Sequence, residues 1–188
     1  MFLGSRSPIK KEKYFINLGC SHASSYEMPF EISYPYLLAD KLNLGYLDFS
    51  YPRTSIEYSE YALNTVDYQK AEFILWQLTY PWRKHDFNAK DARSARIRVE
   101  KNFTLKQSFD KFADVINRYN NLKVYFLFIN QNYVNSFLKE LVFINRKVFP
   151  ENIEFLDYGF DESHGGIKTQ KFISNKLFDF IKTDDEKN

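Results

Sequence analysis

Short apolar runs alternate with amphipathic stretches along most of the chain. Continuous apolar runs bounded by turn residues are typical of strands that are buried on both faces of a sheet. Such runs lie at residues 14–18, 46–49, 73–78, 124–129 and, more weakly, 153–156. Apolar residues at helical spacing lie at residues 36–44, 54–63, 104–119, 133–149 and 167–181. This alternation predicts a parallel sheet with helices on both faces, joined by right-handed crossovers.

The sequence predicts a capping residue for each of the first two helices. Gly45 follows the first helical stretch and is expected to cap its C-terminus, because glycine adopts the left-handed conformation at low cost. Thr54 precedes the second helical stretch, and its hydroxyl is expected to cap that helix.

Composition and charge narrow the class of protein. The 188 residues are 44% hydrophobic and 27% charged, as in a soluble globular domain. We expect one domain over residues 13–182, an N-terminal extension over 1–12 and a disordered tail over 183–188. Lys and Arg total 26 against 24 Asp and Glu. This balance argues against nucleic acid or an anionic membrane as the main partner.

The remaining compositional signals concern compartment and cofactors. The single cysteine, Cys20, excludes an intramolecular disulfide and fits a reducing compartment. No secretory leader and no membrane-length apolar segment is recognised, so a cytoplasmic location is expected, in a host cell or virion if the protein is viral. The spacing of the three histidines fits no metal motif, and no glycine-rich phosphate loop follows the first strand. No cofactor is therefore expected.

Polar residues with catalytic potential follow the first and the last predicted strands. Gly19-Cys20-Ser21-His22 comes after the first strand, and Asp161-Glu162-Ser163-His164 precedes the last helix. Either motif alone is more often a turn or a cap. Together they fall at the carboxyl ends of strands of one sheet, where α/β proteins bind ligands. Ser, His and Asp supply the nucleophile, the base and the orienting carboxylate of acyl transfer.

These two motifs resemble the first and last blocks of the SGNH, or GDSL-like, hydrolases. Gly19-Cys20-Ser21 matches the first block, with Cys where Asp is commonest, and the Asp-x-x-His pattern at residues 161–164 matches the last. The chain looks most like the compact subgroup found in bacteria and their viruses. The resemblance implies a three-layer, flavodoxin-like α/β/α fold with a five-stranded parallel sheet in the order 2-1-3-4-5. It also implies an esterase that uses Ser21 as nucleophile, His164 as base and Asp161 as orienting residue, without a cofactor.

The middle blocks of the family are altered. Arg53 follows Pro52 where the family has a glycine whose N–H joins the oxyanion hole, and the segment after the third strand lacks the usual asparagine. Loss of one oxyanion donor typically lowers the rate about 10²- to 10³-fold. The candidate replacement donors are Arg53, Gln77, Thr79 and Arg83. The sequence does not choose among them.

Two alternatives to this interpretation remain. Cys20 adjoins Ser21 and is a second possible nucleophile, although a lone cysteine is more often a small buried apolar residue. The altered middle blocks also suit a weakly active or inactive member of the fold that serves as a binding or virion-associated protein.

The substrate prediction depends on the segment after the third strand. Tyr80, Trp82 and Phe87 offer flat surfaces for stacking, and the segment has few aliphatic residues. Basic side chains that could act as donors are Arg83, Lys84 and Arg93. This pattern, together with the family resemblance, predicts an ester on a polar carrier, most plausibly an acylated carbohydrate or another small molecule. A solvated basic loop is the alternative. The oligomeric state is left open.

Overall fold

A computed structural model describes residues 6–23, 28–88, 103–159 and 164–186. Within these residues lie six strands and five α-helices. The strands are β1 (Arg6–Ile9), β2 (Tyr14–Leu18), β3 (Gly45–Asp48), β4 (Ile74–Gln77), β5 (Val124–Ile129) and β6 (Val148–Ile153). The helices are α1 (Tyr34–Leu42), α2 (Ile56–Leu63), α3 (Leu105–Arg118), α4 (Leu138–Ile144) and α5 (Ile167–Asp185).

The strands form one sheet in the order β1-β3-β2-β4-β5-β6. Strands β2 to β6 are parallel to one another. Numbered from the first parallel strand, their order is 2-1-3-4-5, which confirms the predicted topology. β1 lies in the predicted N-terminal extension and adds an antiparallel edge strand beside β3. None of the helices in the described ranges is long and apolar enough to cross a membrane.

The sheet separates two apolar layers. Alternate residues of each strand face opposite sides, so Ile74 and Trp76 pack on one side while Phe73 and Leu75 pack on the other. Helices α2, α3 and α4 cover the first side, and α1 and α5 cover the second. The connection from β2 to β3 runs in one direction across the sheet, and the connections that lead to β4, β5 and β6 run in the other. Their helices therefore lie on opposite faces, as right-handed crossovers require.

Two of the predicted helix caps are wrong. α1 ends at Asn43, which has a φ of 56°, and Gly45 is already the first residue of β3. Asparagine tolerates the left-handed conformation, so the helix ends before the glycine. Ser55, not Thr54, caps α2 by accepting a hydrogen bond from the Tyr58 N–H at 3.3 Å.

The helix predicted over 133–149 and the strand predicted over 153–156 are present, but their predicted bounds are wrong. α4 ends at Ile144, and β6 begins at Val148. Pro150, Glu151 and Asn152 interrupt the apolar pattern of β6. Such residues are tolerated here because β6 lies at the sheet edge and Pro150 falls where the register of β6 with β5 shifts. An edge strand that is only half buried carries a weaker apolar signal than a central one.

The C-terminal helix runs further than predicted. The Tyr125 hydroxyl in β5 donates to the Asp184 carboxylate at 2.9 Å, and Lys123 Nζ lies 2.7 Å from Asp185 Oδ1. These contacts tie the end of α5 to the sheet. The prediction of a disordered tail from residue 183 is therefore wrong for residues 183–185, which are helical.

Candidate active site

The carboxyl ends of β2 and β4 form the centre of the candidate site. The chain leaves β2 toward β3 on one side and later returns past β2 to β4 on the other. This is the topological switch point of the sheet, where the loops diverge and leave a crevice. Gly19-Cys20-Ser21 follows β2 directly, and Gln77 is the last residue of β4.

The turn after β2 is packed tightly against β4. Gly19 has a φ of +156°, and a Cβ there would lie 2.8 Å from Gln77 Oε1 and 3.0 Å from the Cβ of Ala23. The Cys20 N–H donates to Gln77 Oε1 at 3.2 Å. The turn therefore requires glycine, and the buried amide of Gln77 holds its backbone in place.

Cys20 points into the protein. The thiol is buried, and Sγ lies 3.5 Å from Nε2 and 3.6 Å from Oε1 of Gln77. Ser21 is the next residue, in a turn in which the Ala23 N–H donates to the Cys20 carbonyl at 3.0 Å. The Ser21 side chain is 8% exposed. A turn over residues 21–23, and not the start of a helix, thus presents the serine.

His164 is brought to this turn from the far end of the sequence. Its ring centroid lies 5.0 Å from that of His22, the residue after Ser21. His22 also packs against Phe155, with centroids 5.2 Å apart in an edge-to-face arrangement. The predicted nucleophile and base thus lie in neighbouring segments. Asp161 lies outside the described residues.

The loop that carries His164 is closed at its base. Tyr158 and Gly165 form an antiparallel bridge, and the Gly159 N–H donates to the His164 carbonyl at 2.7 Å. The Gly166 N–H also donates to the Asp157 carbonyl at 3.0 Å. These bonds fix both ends of the loop between β6 and α5.

Asp157 anchors the same loop and was not singled out from the sequence. Its carboxylate accepts hydrogen bonds from the backbone N–H groups of Thr169 at 2.8 Å and Lys168 at 3.0 Å, and from the Thr169 hydroxyl at 2.7 Å. Burial opposes ionisation of Asp157, but these hydrogen bonds outweigh it and lower its pKa. The carboxylate thus acts as a cap at the N-terminus of α5. An aspartate ten residues before a predicted helix gives no local capping signal, because the contact depends on the tertiary fold.

The loop after β3 lies against the Gly19 turn. The Gly19 carbonyl accepts hydrogen bonds from the Thr54 hydroxyl at 2.7 Å and from the Tyr51 N–H at 3.3 Å. Arg53, between these two residues, is exposed and has a φ of 65°. Arg53 stands where the SGNH hydrolases have glycine, and its backbone adopts the left-handed conformation that glycine favours.

A buried polar network supports the start of this loop. The Asn17 amide donates to Asp48 Oδ1 at 2.9 Å and to Ser50 Oγ at 3.3 Å. The Ser50 N–H and hydroxyl both donate to the same carboxylate oxygen. These contacts join the end of β3 to β2, so the loop and the Ser21 turn share one rigid base.

The segment after β4 contributes a group of aromatic and basic side chains. The Arg83 guanidinium lies 4.6 Å from the Tyr80 ring centroid and donates to the Thr79 hydroxyl at 2.9 Å. Trp82 packs against Tyr80 and Tyr133, at centroid distances of 4.9 and 5.4 Å. Burial raises the pKa of Tyr80, although the nearby Arg83 opposes this effect. We call Tyr80, Trp82, Arg83 and Tyr133 the β4 cluster.

The structure separates the other predicted site residues. Gln77 and Thr79 are fully buried, with their side chains bonded to Cys20 and Arg83 respectively. Phe87 packs on Tyr61, with ring centroids 4.8 Å apart, and takes no part in the β4 cluster. Lys84 is exposed, and Arg93 lies outside the described residues. Within the described ranges, no three His, Cys, Asp or Glu side chains form a group that could hold a metal ion.

The strand order and the placement of the helices define a doubly wound α/β protein. Among solved structures, the chain is similar to the psychrotrophic esterase EstA from a Pseudoalteromonas species, at 16% identity, with a TM-score of 0.56 over 92% of this chain and 98% of that one. It is similar to TesA at 11% identity, with a TM-score of 0.60 over 90% and 98% of the two chains.

A third similar structure contains a bound carbohydrate. A family two carbohydrate esterase from Clostridium thermocellum, in complex with cellohexaose, matches at 13% identity with a TM-score of 0.60, over 94% of this chain and 66% of that one. The sequence matches no protein-family model and no curated protein. At these identities the likeness establishes the fold, which is the one that the resemblance to the SGNH hydrolases implied.

Proposed function

We propose that this protein is a serine hydrolase that cleaves oxygen esters. The observation that supports the proposal is the contact between the rings of His164 and His22, because His164 is the histidine of the Asp-x-x-His motif and His22 is the residue after Ser21. Two segments about 140 residues apart meet at the position where the fold binds ligands. The esterase descriptions of the similar structures support the same chemistry.

In the proposed reaction, His164 removes the proton from Ser21 Oγ as that oxygen attacks the ester carbonyl. The imidazolium then donates the proton to the leaving alcohol, and an acyl-enzyme remains. Water, deprotonated by the same imidazole, releases the acid and regenerates Ser21. Asp161 is assigned the orienting role by its place in the motif, three residues before His164.

One donor position of the SGNH hydrolases can be kept at Arg53, whose backbone N–H stands where theirs is a glycine N–H, but the missing asparagine needs a replacement. We assign one donor to the backbone N–H of Arg53, since the bonds of Tyr51 and Thr54 to the Gly19 carbonyl hold the loop against the serine turn. Arg83 is the second candidate, because it is only partly buried at the adjacent strand end. Gln77 and Thr79 are less suitable because both are fully buried with internal partners.

The leaving group is assigned to the β4 cluster. Partly buried Tyr80 and Trp82 form an aromatic surface at the end of the strand next to Ser21, and Arg83 adds a charged donor beside it. Aromatic surfaces with adjacent donors suit polar ring-shaped groups such as sugars. We therefore propose an acylated carbohydrate as substrate, and the similar carbohydrate esterase supports this assignment.

Covalent labelling tests the nucleophile directly. A fluorophosphonate probe is expected to label the wild-type protein and the Cys20→Ala variant, and to leave Ser21→Ala unlabelled. The same Ser21→Ala change should lower hydrolysis of p-nitrophenyl acetate by several orders of magnitude. Labelling that persists in Ser21→Ala and maps to Cys20 would move the nucleophile by one residue.

The fold can also be retained without catalysis. Absence of probe labelling and of ester turnover in a folded wild-type protein would refute the hydrolase proposal and favour a binding or virion-associated role. Release of acid from acylated xylan or peptidoglycan fragments tests the carrier separately. Turnover of simple esters without release from any glycan would remove the carbohydrate assignment and leave the esterase.

A further inference from the structure

A groove with a cavity volume of about 220 Å³ opens beside the loop that carries His164. Met28 and Ile32 form one wall and belong to the segment that leads from the Ser21 turn to α1. Tyr158 and Ile167 form the other wall and lie on either side of His164 in the sequence. The groove thus lies between the segment of the predicted nucleophile and the segment of the predicted base.

The walls expose apolar surface to solvent. Tyr158 is 63% exposed and Ile167 is 47% exposed, and Phe30, between the two residues of the first wall, is 45% exposed. Large apolar side chains that are exposed side by side, and not singly, mark surfaces that bind ligands or partners. Tyr158 packs on Phe155, with ring centroids 5.7 Å apart, and Phe155 packs on His22, the residue after Ser21. This chain of contacts favours a ligand that also reaches Ser21.

The charged group in the groove does not require a polar ligand. Asp157 lines the groove, but its two carboxylate oxygens already accept three hydrogen bonds from Lys168 and Thr169 at the start of α5. Its charge is therefore balanced by the helix N-terminus. The surface left for a ligand is formed mainly by aliphatic and aromatic carbon.

We propose that this groove binds the acyl chain of the ester, an inference that rests on the proposed hydrolase function. The β4 cluster and the groove lie on different segments around Ser21, so a polar leaving group and an apolar acyl chain have separate places. One water-sized group occupies ~30 Å³, so the groove holds roughly seven such groups. The predicted substrate is an ester of a short acyl chain, of roughly six carbons, and not an acetate.

Chain-length dependence of hydrolysis is the first test. With p-nitrophenyl esters from acetyl to dodecanoyl, kcat/KM is expected to rise about two- to fourfold per methylene up to roughly six carbons and then to level off. A profile that is flat or that falls from acetyl onward would overturn the assignment.

Variants locate the effect in the groove. Ile167→Asn and Tyr158→Ser are each expected to lower the hexanoyl-to-acetyl ratio of kcat/KM several-fold. Phe143→Ser removes an apolar side chain that is 93% exposed on α4, on the other face of the sheet, and should leave the ratio unchanged. Far-ultraviolet circular dichroism and the melting temperature show that each variant is folded. A ratio that is unchanged in both groove variants would refute the inference.

A binding measurement separates this inference from the hydrolase proposal. The chain has two methionines, Met1 and Met28, so methyl-¹³C labelling gives one reporter in the groove. Titration of Ser21→Ala with hexanoate should shift the Met28 methyl signal and leave that of Met1 in place. A shift without ester turnover in the wild type would keep the groove and refute the hydrolase. Ester turnover without a shift of the Met28 signal, together with a flat chain-length profile, would keep the hydrolase proposal and refute acyl-chain binding in the groove.

Discussion

Replacing Asp157 with asparagine removes one carboxylate oxygen and the negative charge from the N-terminus of α5. In the best case the remaining oxygen keeps both bonds from Thr169, and the Lys168 N–H loses its acceptor. A hydrogen bond to a charged group contributes about 1.5–3 kcal/mol, and a charge at a helix end about 0.3–1 kcal/mol. Because Asp157 is only partly buried, we expect a loss of about 2 kcal/mol in the free energy of unfolding.

This loss should be visible as a shift of the melting temperature. For a chain of this size, 1 kcal/mol changes Tm by about 2–4 °C, so Asp157→Asn should melt about 4–8 °C below the wild type at pH 7. Asp179→Asn, which removes an exposed carboxylate further along α5, is the matched control and should melt within about 1 °C of the wild type.

The pH dependence identifies the cause. The folded protein lowers the pKa of Asp157, so its stabilising effect is complete above the unfolded-state pKa and is lost as the pH falls through the folded-state pKa. The difference between wild type and Asp157→Asn should therefore shrink steadily below about pH 4. Calorimetry from pH 7 down to the acid limit of folding measures it. A difference that stays constant with pH would refute the role of the charge.

Substitutions at three other positions test the site. Gly19→Ala should destabilise the protein by roughly 2–5 kcal/mol, because its Cβ would lie 2.8 Å from Gln77 Oε1 at a positive φ; a urea midpoint equal to that of the wild type would contradict this. His22→Ala should lower kcat by roughly 10- to 100-fold with little change in KM, because it removes the ring that packs on His164, and His22→Phe should recover much of the loss; equal rates in both variants would exclude a positioning role. Arg53→Gly should keep kcat within about twofold in steady-state assays, because glycine retains the backbone N–H and adopts the positive φ; a loss of about 100-fold would make the Arg53 side chain, and not its N–H, the donor.

The central strands and the overall order of elements could be predicted because burial on both faces leaves an uninterrupted apolar run. Every residue of β5, Val124–Ile129, is buried, and the run is plain in the sequence. β6 could not be placed in the same way, because its position at the sheet edge leaves Pro150 and Glu151, in the middle of the strand, exposed. The apolar residues that follow it therefore resembled a strand more closely than the strand itself.

The sequence could predict which candidate site residues lie near the carboxyl ends of strands, but not which way their side chains point. The position of Ser21 and His164 at strand ends followed from the alternation of elements. Whether a side chain points inward depends on single-residue register, which no local pattern gives. The inward direction of Gln77, its contact with Cys20, and the anchoring of the His164 loop by Asp157 are all of this kind.

Both edges of the sheet are poor templates for another chain. A long regular edge strand presents rows of unpaired N–H and C=O groups, and these can recruit strands into aggregates. Here one edge is β1, only four residues long and irregular in its register with β3, and the other is β6, with Pro150 beside its own register shift. The short length and the irregular register of these two strands are therefore expected to disfavour edge-to-edge pairing between copies of the chain.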